Sequence, residues 1–114
     1  MTNRPEDSEV IISDKPPHKF VSVQGDINLY SVSHLRKEIM KVIDDGCNSL
    51  VMDMKDVRFM DSSGIALMAN IQKIIKSSGG TFFVLHLNNE IKNILKLAAL
   101  ERYFKIVENE SELN

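Results

Sequence analysis

The sequence predicts a single α/β domain: a mixed, mostly parallel sheet of about five strands, entered through an N-terminal hairpin, with roughly three or four helices on one side. Three observations predict it. Two short extended runs meet at Pro16-Pro17, and apolar runs too short for helices then alternate with stretches at helical spacing. A chain of 114 residues that is 43% apolar supplies one modest core and no second domain.

Residues 1–8 are almost wholly polar and include Pro5, so they have little to bury and read as a flexible tail ahead of a domain spanning 9–114. Val10, Ile11 and Ile12 make the first strand, and Phe20, Val21 and Val23 make the second, ending at Gly25. Val32, Leu35, Ile39, Val42 and Ile43 then recur at helical spacing, with Ser31 or Ser33 as the cap and Asp44-Asp45-Gly46 as the stop. Leu50, Val51, Met52 and Met54 form a run too brief for a helix and read as a buried strand. After Asp61-Ser62-Ser63-Gly64 a second helix runs to about Ser77, closed by Gly79-Gly80. Phe82 to Leu85 supply the next strand. Asn88 or Asn89 caps a third helix carrying Ile91, Ile94, Leu95 and Ala98 on one stripe, Phe104 to Val107 form the last strand, and the final residues add a partial helix.

Composition narrows the function. Charged residues make up 26% of the chain and the formal net charge is -2, so there is no basic field to hold a phosphate backbone and direct nucleic-acid binding is not expected. No stretch approaches the roughly 20 consecutive apolar residues of a membrane span. Cys47 is the only cysteine, and no charged start with a long apolar run precedes the domain, so the expectation is a cytoplasmic protein with no internal disulfide and no membrane attachment of its own. His18 and His34 fall on different elements, and neither reads as a metal ligand. No cofactor is expected.

In a mostly parallel sheet, functional groups collect at the carboxyl ends of the strands, where the next helix begins. The segment from Asp53 to Gly64 makes that connection and carries Asp53, Asp56 and Asp61 beside Ser62 and Ser63. One reading is a helix cap, since Asp and Ser oxygens accept from the free N–H groups of a first turn. A compatible reading is a hydroxyl held at an exposed helix start, within reach of a kinase. At about 100° per residue, Leu67, Met68, Ile71, Ile74 and Ile75 gather on the core side of the helix, whereas Ile65, Ala66 and Ala69 fall with the polar residues. Those three form a candidate partner-binding surface, or are covered by a neighbouring loop.

Two catalytic readings compete. Ser62 with His86 suggests a hydrolase, but the first glycine of a G-x-S-x-G elbow is missing, and no catalytic residue is expected. Asp53, Asp56 and Asp61 suggest a Mg²⁺ site that accepts a phosphoryl group, as in receiver-like domains, but an initial hairpin does not suit that fold, and no metal ligand is expected.

The run Phe59-Met60-Asp61-Ser62-Ser63-Gly64-Ile65-Ala66, between a short strand and an apolar helix, resembles the signature of STAS domains of the bacterial anti-sigma factor antagonist type. Val23-Gln24-Gly25-Asp26-Ile27-Asn28, Gly79-Gly80 and Ile91-Lys92-Asn93-Ile94-Leu95-Lys96-Leu97 support the resemblance, which spans roughly Glu9 to Glu112. It implies a non-catalytic switch in transcription control. The phosphoryl acceptor would be Ser62, with Asp26, Asn28, Asp53, Asp56, Asp61, Ser63 and Gly64 around it. Implied partners are an anti-sigma factor that is also a serine kinase of the histidine-kinase-like ATPase type, and a metal-dependent serine phosphatase. Related modules serve as scaffold or regulatory subunits of stress-sensing and transport complexes. Where the family commonly carries an acid, this chain has Asn28, which would hydrogen-bond across the edge without repelling a phosphoserine.

Overall fold

The computed structural model describes residues 8–113. Strands β1 (Glu9–Lys15) and β2 (His18–Gln24) form the predicted hairpin, turning at Pro16-Pro17. Helix α1 (Val32–Asp44), strand β3 (Ser49–Asp56), helix α2 (Ser62–Ser77), strand β4 (Thr81–Leu85), helix α3 (Asn89–Leu97) and strand β5 (Lys105–Val107) follow, and a single 3-10 turn spans Glu110–Glu112. The five strands lie side by side in sequence order, β1 antiparallel to β2 and the rest parallel.

Each parallel step advances one place in the same direction, and right-handed crossovers then put every helix on one face. The buried residues agree. Val21, Val23, Leu50, Met52, Met54, Phe82 and Val84 turn to that face and pack with Leu35, Ile39 and Val42 of α1, Leu67, Met68, Ile71 and Ile75 of α2, and Ile91 and Leu95 of α3. Burying one such side chain contributes about 1.5–3 kcal/mol, and this face supplies most of the core. The intervening strand positions, Phe20, Val51, Leu85 and Val107, form a smaller cluster on the helix-free face with Leu113. The chain reaches that cluster by folding back after β5, where Glu110 Oε1 meets Lys15 Nζ of β1 at 3.0 Å.

Several expectations shift at element ends. The last strand begins at Lys105, and Phe104 is instead buried in the helical core. Ile74 and Ile94, assigned to core stripes, are half-buried. Ser8, read as the end of the tail, is buried, and its hydroxyl donates to the Asp26 carbonyl at 3.4 Å; residues 1–7 of that tail lie outside the described residues.

Cys47, half-buried between α1 and β3, carries a free thiol. Burial pushes that thiol up, outweighing the Ser49 backbone hydrogen bond and the Lys19 charge that pull it down. Only the thiolate alkylates, so iodoacetamide should modify Cys47 more slowly than free cysteine at pH 8, with a rate midpoint displaced to higher pH.

Candidate functional site

Three loops meet at the carboxyl ends of β2, β3 and β4, and the backbone fastens them together. Ile27 and Met60 form a parallel bridge, with Ile27 N–H donating to Phe59 O at 3.1 Å and Asp61 N–H donating to Ile27 O at 3.0 Å. Gly25, at φ +98°, turns the chain out of β2 and donates to Asp56 O at 3.4 Å. Asp26 Oδ1 accepts from Phe59 N–H at 3.3 Å. From the other side, the Asn88 amide donates to Val57 O at 3.3 Å and Arg58 O at 3.0 Å, while its Oδ1 caps α3 through Ile91 N–H at 2.8 Å.

Asp61 holds the centre. Its backbone is extended, at φ -93° and ψ -172°, and Oδ1 accepts from Ser63 N–H at 2.8 Å, a helix cap. Oδ2 accepts from Leu29 N–H at 3.1 Å, so one carboxylate joins two loops. Ser62 opens α2 and is exposed, and among the described residues its hydroxyl has no hydrogen-bond partner. Ser63 is half-buried and Gly64 buried.

Gly64 sets how closely α2 approaches the loops. A methyl group there would lie 2.6 Å from Met60 Sδ and 2.9 Å from Ile27 Cγ2, so Gly64→Ala should cost about 1–3 kcal/mol of stability, read as a lower urea midpoint. If the midpoint is unchanged, the packing at this helix start is looser than the geometry requires.

The family model for the STAS domain matches residues 9–113. This chain belongs to the STAS family. A Thermotoga maritima protein named as a candidate anti-sigma factor antagonist is 30% identical over 88 residues, covering 76% of this chain and 78% of the relative. The anti-sigma-B factor antagonist of Bacillus subtilis is 27% identical over 81 residues, 71% of this chain and 73% of that one. The crystal structure of a Thermotoga maritima candidate antagonist superposes with a TM-score of 0.86 at 25% identity, covering 90% of this chain and 89% of the other.

The STAS fold gathers some of the predicted site residues and separates others. Asp26, Asn28, Asp61, Ser62, Ser63 and Gly64 share the end of the sheet. Asp56 ends β3, exposed, and takes part through its carbonyl. Asp53 does not join them, because strand alternation puts it on the helix-free face, where Oδ1 lies 3.0 Å from His86 Nδ1 and accepts from Lys55 N–H at 3.0 Å. This separates the groups that each catalytic reading brings together. His86, held at φ +62° beside Asp53, is engaged away from Ser62. The three aspartates do not converge, and among the described residues no group of three or more His, Cys, Asp or Glu is placed to hold a metal ion.

Asn28 departs from its expected role. Its Oδ1 accepts from Tyr30 N–H at 2.9 Å and Ser31 N–H at 3.1 Å, within its own loop and not across the edge. Asx side chains readily find the N–H groups two and three residues on, and here that satisfies the approach to α1, whose Ser31 makes no side-chain cap bond. Of the surface expected at Ile65, Ala66 and Ala69, only Ala66 is exposed; Ile65 and Ala69 are half-buried against the core. Helix α1 lies alongside, with Arg36 Nη1 donating to Asn70 Oδ1 at 2.6 Å.

Sequence reasoning did not single out the large exposed apolar groups of the site as a surface. Leu29 is 68% exposed, Tyr30 74% and Phe59 46%, all on the loops tied to Asp61. Their signal is three large apolar residues at loop positions with no periodic reason to be there.

Proposed function

We propose that this STAS protein is an anti-sigma factor antagonist with Ser62 as its switch. In this reading the unphosphorylated protein binds, in the cytoplasm, an anti-sigma factor that is also a serine kinase of the histidine-kinase-like ATPase type, and a sigma factor is thereby released. The kinase phosphorylates Ser62 and so ends the complex, and a metal-dependent serine phosphatase restores it. The protein itself catalyses nothing.

One observation carries the proposal: an exposed, unengaged serine hydroxyl at a capped helix start, bordered by Leu29, Tyr30 and Phe59. A kinase needs an accessible hydroxyl, and a partner needs apolar area beside it to bury. Ser63, half-buried with its N–H bound by Asp61, suits a structural companion better than an acceptor. A phosphoryl group on Ser62 would add about 1.5 to 2 negative charges at a position where free N–H groups and the helix dipole favour an anion, so the fold would tolerate it.

Incubation with the histidine-kinase-like ATPases of the same genome and labelled ATP tests this. One acid-stable phosphate is expected, retained in Ser63→Ala and lost in Ser62→Ala, while unphosphorylated Ser62→Ala still binds the kinase. If no such ATPase binds or phosphorylates the protein, the reading fails.

A further inference from the structure

Strand β1 has one partner. It pairs through all seven residues with β2, and among the described residues no other strand takes up the row of N–H and C=O groups on its outer edge. From Ile11 to Lys15 every residue of it is exposed, and Ile11 and Ile12, at 48% and 47%, are the only large exposed apolar side chains that lie in a strand among the described residues.

We infer that β1 is a self-association strand, pairing antiparallel with β1 of a second copy about a two-fold axis through Ile12. The occupant is chosen by charge. Edge strands are commonly blunted with charges that repel another strand. In β1 the end charges have opposite sign, Glu9 at one end and Lys15 at the other. With the axis at Ile12, Glu9 of each copy stands opposite Lys15 of the other, Ile11 opposite Ser13, and Val10 opposite Asp14. Only shifts that keep outward-facing groups of one strand against outward-facing groups of the other preserve the ladder. Moving the axis to Ile11 sets Glu9 against Ser13, and moving it to Ser13 sets Ile11 against Lys15, so among the seven residues of β1 the Ile12 register is the one that forms two complementary ion pairs.

The remaining charges fit that register. Asp14 is already held by Lys19 at 2.8 Å, so it brings no unpaired charge opposite Val10. Lys15, 55% exposed, contacts Glu110 at 3.0 Å and lies over the Phe20 ring at 4.7 Å, so an ion pair with Glu9 of the second copy would share its three N–H donors with Glu110. Register with β2 puts Val10 and Ile12 on the helix-bearing face, so both helix layers lie on the same side of the joined sheet. A single pair of short strands buries less than a standard interface, so the dimer should be weak and concentration-dependent. Because the two copies of β1 run antiparallel to each other, the Ser62 ends of the two sheets face away from each other and both stay open.

Sedimentation equilibrium of the full chain tests this, with circular dichroism as the check that each variant folds. The wild type should dimerise at about 100 μM and above; Glu9→Lys and Lys15→Glu should each weaken association about tenfold, and the double exchange Glu9→Lys/Lys15→Glu should restore it. In a Cys47→Ser background, Ile12→Cys should form a disulfide-linked dimer faster than Leu97→Cys, since Ile12 alone faces its own copy. Ser62→Asp should leave dimerisation unchanged, which separates this inference from the proposed switch. A chain monomeric at about 1 mM, single exchanges without effect, or a double exchange that does not recover would each overturn it.

Discussion

Phosphorylation of Ser62 should weaken binding to the anti-sigma partner about a thousandfold, equivalent to about 4 kcal/mol, while the melting temperature moves by no more than about 5 °C. The two effects differ because they arise in different solvents. On the free protein the phosphate sits at an exposed helix start, in water, where charge terms seldom exceed about 1 kcal/mol and the dipole is favourable. In the proposed complex the same group would shed its hydration beside the exposed Leu29, Tyr30 and Phe59, and an uncompensated buried dianion costs several kcal/mol. Titration calorimetry with the isolated partner would read the first quantity and a thermal scan the second. Ser62→Asp, with one charge and shorter reach, should give about a hundredfold loss. A Ser62→Asp protein that binds as tightly as the wild type would end the charge-exclusion account.

Tyr30→Ala should cost the complex about 2 kcal/mol or more, roughly a thirtyfold loss of affinity, with no loss of fold stability. Tyrosine combines a large apolar face with a hydroxyl, and such residues beside a switch carry a disproportionate part of interface energy. Tyr30 at 74% exposure has little to lose in the free protein, and its loop is held by Asn28 and Asp61 through main-chain N–H groups that the substitution leaves in place. Leu97→Ala is the matched control: at 87% exposure on the last turn of α3 it should leave affinity unchanged. Equal affinities for wild type and Tyr30→Ala would move the interface away from the loop before α1.

The parts legible in the sequence were those written in local periodicity. Leu35, Ile39 and Val42, or Ile91 and Leu95, announce a helix and its buried face together, and Asp61-Ser62-Ser63 and Asn88-Asn89 announce helix starts, which the hydrogen bonds resolve to caps at Asp61 and Asn88. Contacts between distant segments were not legible. Nothing near Leu113 says that it closes the second face, because the Lys15–Glu110 contact joining its segment to β1 spans 95 positions. Ile65 and Ala69 lay on the polar side of a helical wheel, yet α1 packs close to that side. Asp53 seemed one of three neighbouring carboxylates until strand alternation turned it to the opposite face. Leu29 and Tyr30 escaped notice, and Phe59 entered only as part of the signature run, because periodicity assigns no meaning to loop residues.

Asn28 spends its side-chain oxygen on two main-chain N–H groups, and a carboxylate oxygen could accept the same two. Exchange between amide and acid at this position should therefore change the charge of the proposed binding surface at almost no cost to the fold. Asp61, which joins two loops, has no such freedom. The site thus contains one acid tied to two loops and one position whose charge is decoupled from the fold, so the charge a partner meets there can be set independently of the architecture.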